Sequence, residues 1–274
     1  MTDDLTVYAH RGFAGRFPEN TVRAAVRAVR AGAVALEVDV MPTADGDVVV
    51  FHDRRLDAGP ESRGITDARG YVWERSTDVV TNARVRGDEA TVPLLSTLLG
   101  AIPSDVLVSV ELKNPGTAEL FPDQAFDSPA AIPNRDRWRS FVGEVVDLCA
   151  DAPNPIEYSS FCEGGLRAVT ELDPDADLAV PFWRDVDAGR ELARRYDPDA
   201  VHVPLSMLAG TPLFDAETHD RSAFGDPGDV VSWAETIDAD VAAYTVQTWW
   251  EARAVAEADC DGFFADYPDL LQVE

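Results

Sequence analysis

Nine short runs rich in β-branched and apolar residues, many of them separated by stretches of helical pattern, constrain the fold of this chain more than any other feature. They fall at 5–9, 35–40, 47–51, 106–112, 156–160, 178–182, 200–204, 241–246 and 262–265. Helical patterning occupies 21–31, 138–150, 163–172, 187–196, 229–238 and 249–258. In the first of these Val22, Ala25, Val26 and Val29 follow a 3.6-residue period, with Asn20 or Thr21 as the cap and Gly32 as the stop. Alternation of strand and helix predicts a parallel α/β architecture, because parallel neighbours need a long crossover and an amphipathic helix supplies it.

Nine runs are one too many for an eight-stranded barrel. The segment from Met41 to Gly46 is too short to cross over between parallel strands, so the second and third runs are expected to form a hairpin through Asp45-Gly46. Two stretches lack regular patterning: 54–92, rich in Asp, Gly and Arg, and 114–136, which holds Pro115, Pro122, Pro129 and Pro133. The expected fold is therefore a (β/α)8 TIM-type barrel, one domain over residues 1–274, with an extra hairpin in its N-terminal half and two loop insertions.

Composition narrows the partners. The chain has 50 acidic and 23 basic residues, a formal net charge of −27, which disfavours nucleic acid and anionic membranes. Lys113 is the single lysine, and the acids are spread along the whole chain, a pattern that resembles proteins of salt-loving cells, the alternative being an ordinary acidic protein of a GC-rich genome, whose codons favour arginine. No window approaches the roughly 20 apolar residues of a membrane span, and the N-terminus is acidic, so a cytoplasmic location without stable membrane association is expected. Cys149, Cys162 and Cys260 show no paired spacing and are expected to be small buried hydrophobes.

The chemistry gathers at strand ends. The first run ends in His10-Arg11-Gly12, the second carries Glu37-Val38-Asp39, the third ends in His52-Asp53 and the fourth in Glu111-Leu112-Lys113. In a parallel barrel such ends converge on the rim that carries catalysis. Glu37 and Asp39, two apart on a strand, project from one face, and Glu111 from a neighbouring strand would complete a hard oxygen site suited to Mg²⁺ or Ca²⁺. A solvated strand end accounts for any one of these acids alone, and a hydrogen-bonded structural role accounts for His10 alone. The lone lysine suggests a task for a compact ammonium, such as a contact to phosphate.

These motifs, with Pro18-Glu19-Asn20-Thr21, Val92-Pro93-Leu94-Leu95, Ser160-Phe161, Tyr244-Thr245-Val246-Gln247 and a closing Asp261-Gly262-Phe263-Phe264-Ala265-Asp266-Tyr267-Pro268, stand in the order and spacing of the glycerophosphodiester phosphodiesterase family, which the chain resembles over nearly its whole length. Gln247 stands where that family usually has Asn, and Tyr244 where it often has Trp. The resemblance implies a small-molecule glycerophosphodiester substrate, one divalent cation on Glu37, Asp39 and Glu111, an acid-base pair of His10 and His52, and phosphate contacts from Arg11 and Lys113. Glu19, Asn20 and Thr21 are read as capping and bracing the rim. Trp249 and Trp250 are expected to pack a helix face, His202 to be a rim candidate with a structural alternative, and His219 to be solvated. Two other readings remain open: a related barrel phosphodiesterase of the phospholipase C or D type, and a catalytically silent barrel that binds phosphorylated ligands.

Overall fold

The structure is a computed structural model and describes residues 5–60, 62–120, 134–214 and 229–271. Among these residues eight parallel strands close into a barrel: β1 (Thr6–His10), β2 (Ala35–Pro42), β6 (Leu107–Leu112), β7 (Ile156–Ser159), β8 (Asp177–Pro181), β9 (Ala200–Pro204), β10 (Asp240–Val246) and β11 (Gly262–Ala265). Closure comes from β1, which pairs with β11 on one side and β2 on the other. The expected hairpin is present. β3 (Val48–Val50) lies antiparallel to the end of β2, and Gly46 takes the turn at a φ of +92°, a conformation that favours glycine.

Six of the nine runs are followed by the expected helices: α1 (Val22–Arg30), α4 (Arg135–Ala150), α5 (Glu163–Leu172), α6 (Val186–Tyr196), α7 (Val230–Glu235) and α8 (Trp249–Glu257). Thr21 caps α1, its hydroxyl accepting from the Ala24 amide. A short helix, α3 (Leu95–Leu99), was not legible, because five residues are too few to show a period. Trp249 and Trp250 correct an expectation. They open α8 at the surface, 51% and 45% exposed, and do not pack beneath it.

Alternation along the strands sorts two environments. Leu36, Val38 and Val40 of β2 face outward and join α1 and α3 in the main core through Ala25, Ala28, Leu95 and Leu98. Ala35, Glu37 and Asp39 take the opposite, inward face. In the interior Tyr8, Ala35, Ala242 and Phe264 form one apolar cluster, beside a buried polar group of Ser109, Glu157 and His202. The carboxylates Glu37, Asp39 and Glu111 lie toward the C-terminal ends of their strands.

The stretch 54–92 is not patternless in space. It contains a two-stranded hairpin of β4 (Ala58–Gly59) and β5 (Ser62–Arg63), a 3-10 turn at Val72–Glu74 and the helix α2 (Thr77–Thr81). Leu56, Val72, Val80, Val85 and Val92 pack with Met41, Val49 and Phe51 into a separate apolar cluster against the β2–β3 hairpin. These apolar residues come mostly from turns, which is why no periodicity marks them. Of the second excursion, 121–133 lies outside the described residues, as does His219.

Candidate active site

Strand register builds the centre of the site. Across the parallel pair β2–β6, Asp39 stands beside Glu111, and across β1–β2, His10 stands beside Glu37. Glu37, Asp39 and Glu111 are all buried, and each offers an oxygen within 4.8 Å of the others. Burial and the charges of Asp39 and Glu111 push the Glu37 carboxyl well above the ordinary carboxylate range. Burial would raise Asp39 too, but the Lys113 ammonium and Arg11 guanidinium hold it well below that range. Three converging carboxylates in a dry site repel one another, and a cation relieves the repulsion.

Two local devices hold this arrangement. Arg11, Gly12 and Phe13 all have positive φ, at 52°, 76° and 62°, and a Cβ at Gly12 would come within 2.8 Å of the Ala24 Cβ. The chain turns sharply there, and the Arg11 amide donates to Glu37 Oε2 at 2.9 Å. The strained turn thus supplies a fixed donor to one carboxylate. From the next turn, Asn20 donates through Nδ2 to Asp39 Oδ2 at 2.7 Å and accepts from the Asp39 amide at 3.3 Å. Glu19 is 1% exposed and receives Arg11 at 3.2 Å, Arg63 at 2.6 Å and Arg86 at 2.5 Å. The capping and bracing expected of Glu19, Asn20 and Thr21 is what the structure shows.

The two cations lie on the carboxylates. Arg11 Nε is 3.1 Å from Asp39 Oδ2, and Lys113 Nζ is 2.9 Å from Asp39 Oδ1 and also pairs with Glu111. The Lys113 ammonium thus rests on one buried oxygen each of Asp39 and Glu111. Three buried carboxylates with an oxygen each within 4.8 Å of the others are hard donors that fit a divalent cation of the Mg²⁺ or Ca²⁺ kind.

Each histidine is braced by a carboxylate. His10 Nδ1 lies 2.6 Å from Asp266 Oδ1, and Gln247 Nε2 donates to the other Asp266 oxygen at 2.7 Å. His52 Nδ1 lies 2.8 Å from Asp53 Oδ1, and Asp53 receives the Arg63 side chain at 2.8 Å and its amide at 2.7 Å. The His52 and Arg63 bonds hold Asp53 below its usual range despite burial, and the His10 bond does the same for Asp266. Both carboxylates are therefore ionised acceptors that hold the Nδ1 proton of each histidine and leave Nε2 to exchange a proton with a substrate. Burial, with Lys113 and Arg11 nearby, pushes His52 down to about 3, and burial with Arg11 lowers His10. Asp53, Asp266, Arg63 and Gln247 received no role from the sequence. Asp53 was legible only as the neighbour of His52, and nothing in spacing links Asp266 to His10, 256 residues away.

All seven candidate residues but Asp39 line one cavity of about 430 Å³, and Asp39 lies directly behind it, paired with Arg11 and Lys113. His202 is buried, 4% exposed, its ring against Tyr8 and Phe264 and its Nε2 3.3 Å from Glu157. It borders the cavity from below and is not a rim residue. Cys149, Cys162 and Cys260 are buried and form no disulfide among the described residues.

A barrel that converges carboxylates, imidazoles and fixed cations on one rim cavity has the make-up of an enzyme for anionic esters. Comparison with known proteins specifies which. The chain belongs to the glycerophosphoryl diester phosphodiesterase family, whose model matches residues 10–270, and it is a glycerophosphodiester phosphodiesterase. It is 43% identical to the putative glycerophosphodiester phosphodiesterase YhdW of Bacillus subtilis, over 97% of this chain and 96% of that one. It is 26% identical to the glycerophosphodiester phosphodiesterase of Bacillus altitudinis, over 96% and 95%. Among solved structures, an Oleispira antarctica phosphodiesterase in complex with the product sn-glycerol-3-phosphate superposes with a TM-score of 0.75 at 23% identity, covering 97% of this chain and 95% of that one.

Proposed function

We propose that the chain hydrolyses glycerophosphodiesters to glycerol phosphate and an alcohol with one divalent cation, Mg²⁺ or Ca²⁺, held by Glu37, Asp39 and Glu111, and with His10 and His52 as the acid-base pair. The observation that carries this reading is the meeting of three buried carboxylates beside two carboxylate-braced histidines on one cavity. The cation, when bound, polarises a phosphate oxygen and neutralises charge. Arg11 and Lys113, fixed cations on the same cavity, add electrostatic stabilisation where negative charge develops on the phosphate.

The substrate's own hydroxyl, on the carbon next to the esterified one, is the nucleophile in this scheme, since its tethering removes the entropy of capturing a water. Its oxygen bonds to phosphorus while its proton passes to Nε2 of one histidine. The bond from phosphorus to the head-group oxygen breaks, and the other histidine, which enters the step protonated at Nε2, gives that proton to the departing oxygen. One water then opens the five-membered cyclic phosphate with the histidines exchanging roles, which restores both and leaves glycerol phosphate. The complex of the Oleispira phosphodiesterase with sn-glycerol-3-phosphate supports this product.

We read the chain as a single barrel domain serving cytoplasmic lipid and glycerol metabolism in a salt-adapted cell. Supporting observations are the net charge of −27 and, among the described residues, the absence of any helix long and apolar enough to cross a membrane. The direct test measures glycerol phosphate released from glycerophosphocholine and glycerophosphoethanolamine with and without chelator. Release that ignores the chelator removes the metal from the scheme, and no release removes the substrate.

A further inference from the structure

The wall of the cavity beyond Lys113 is aromatic. Phe161 lies just after β7, Trp183 just after β8 and Tyr244 within β10, and all three line the cavity. Trp183 and Tyr244 both stand nearly perpendicular to Phe161, at 81° and 88°, with ring centroids 5.3 and 6.0 Å from it. Two rings upright on a third make three sides of a box. The Tyr244 hydroxyl donates to the Phe182 carbonyl, which fixes how that wall stands.

Edge-to-face packing of this kind is common in cores, but this group is not in the core. Trp183 is 38% exposed at the mouth, so a large apolar ring is held open where burial would stabilise it. Its neighbours show what the rings attract. Lys113 Nζ sits 5.7 Å from the Phe161 centroid, and the exposed Arg184 guanidinium sits 5.5 Å from that of Trp183. Aromatic faces carry negative charge density, and cations settle over them.

We propose that Phe161, Trp183 and Tyr244 receive the head group of the leaving alcohol and select a quaternary ammonium over a primary ammonium or a neutral polyol. The proposal rests on the phosphodiesterase reading above. Lys113 links the two regions, because the ammonium that pairs with Asp39 and Glu111 also lies over Phe161. The box therefore begins one side chain away from the site assigned to phosphate, a gap suited to the two-carbon link of a phosphocholine. A quaternary ammonium has no N–H, so it gives up no donated hydrogen bond on entering aromatic walls. A primary ammonium gives up water hydrogen bonds there and finds no carboxylate among the three rings. A polyol suffers the same loss without the cation's attraction. The net charge of −27 also draws cationic head groups toward the protein.

The test compares kcat/KM for glycerophosphocholine, glycerophosphoethanolamine and glycerophosphoglycerol in the wild-type enzyme, Trp183→Ala and Trp183→Phe. The expected wild-type preference for the choline diester is roughly tenfold, the scale of a desolvated cation–π contact. Trp183→Ala collapses that ratio, chiefly through KM, and Trp183→Phe, which keeps a π face, restores part of it. A wild-type ratio near one, or equal losses on all three diesters in Trp183→Ala, overturns the proposal. Quenching of tryptophan fluorescence by phosphocholine and phosphoethanolamine gives a readout that needs no turnover. Tighter binding of phosphocholine by the wild type than by Trp183→Ala supports the box even if no diester is cleaved, an outcome that would sink the phosphodiesterase reading alone. Equal affinity for the two phosphoamines overturns the box and leaves that reading intact.

Discussion

His10 at the end of β1 and Asp266 just past the end of β11 meet across the seam that closes the barrel, with Nδ1 and Oδ1 2.6 Å apart. The contact sets the tautomer of His10, so an amide in place of the carboxylate permits the wrong one. Asp266→Asn is expected to lower kcat by about 10²-fold or more, within the range of one general acid-base catalyst, while the melting temperature changes little. A variant within threefold of wild-type kcat would show that the brace is unnecessary.

His10→Ala and His52→Ala are each expected to lower kcat by about 10² to 10⁴ with only small changes in stability, since both side chains border a cavity and neither fills a core. If both variants keep more than about a tenth of the wild-type rate, less than one such catalyst should contribute, the pair is wrongly assigned.

Metal affinity is expected to rise with pH. Burial and its carboxylate neighbours hold Glu37 protonated above the ordinary carboxylate range, and a cation must displace that proton to bind. Calorimetric titration with Mg²⁺ or Ca²⁺ in two buffers of different ionisation enthalpy reads the released proton. Glu37→Gln is expected to remove the release along with most of the affinity. Binding by the wild type that is independent of pH from 5 to 8 and releases no proton would contradict the ligand assignment.

Stability of the metal-free protein is expected to fall as pH drops from about 6.5 toward about 3, because His52 has its ordinary value of 6.5 when unfolded and about 3 when folded. In that window the unfolded chain takes up a proton that the folded chain refuses, so the unfolded state binds more protons and stability rises with pH. Above 6.5 both states are neutral at this residue and it contributes no slope. Melting temperatures of wild type and His52→Gln between pH 4 and 8 check this: the variant should lose stability less steeply on the acid side, and parallel curves would rule it out.

Salt should stabilise the fold. A net charge of −27 repels itself in dilute buffer, and the Debye length shortens from about 10 Å at 0.1 M to about 3 Å at 1 M ionic strength. The expected outcome is a melting temperature that climbs between dilute buffer and molar KCl. A flat response removes the salt-adapted reading and leaves the enzyme as it is.

The barrel was legible because each of its strands and most of its helices bury a face of their own, and burial writes a period into the sequence. Glu37 and Asp39 were legible as a pair for the same reason, since spacing of two on a strand means one face. The segment 54–92 was not, because Leu56, Val72 and Val85 reach their common cluster from turns. Nor were the braces. Arg63 and Arg86 converge on Glu19 from 44 and 67 residues away, and a contact of that separation leaves no local mark. Lys113 was noticed for its rarity, yet in the structure its ammonium rests on Asp39 and Glu111, so its charge serves the carboxylates as well as any phosphate.

Glu19 ties two bodies together. Arg63 and Arg86 come from the segment with its own apolar cluster, and Arg11 comes from the barrel turn that touches Glu37. Arg63 also holds Asp53, which holds His52. Peeling of that segment would thus strip one histidine of its brace while every barrel strand stayed paired. Heat or denaturant should then silence the enzyme before circular dichroism registers any loss of the barrel, and the gap between those two midpoints should widen in Glu19→Gln, whose amide holds the three guanidiniums less firmly.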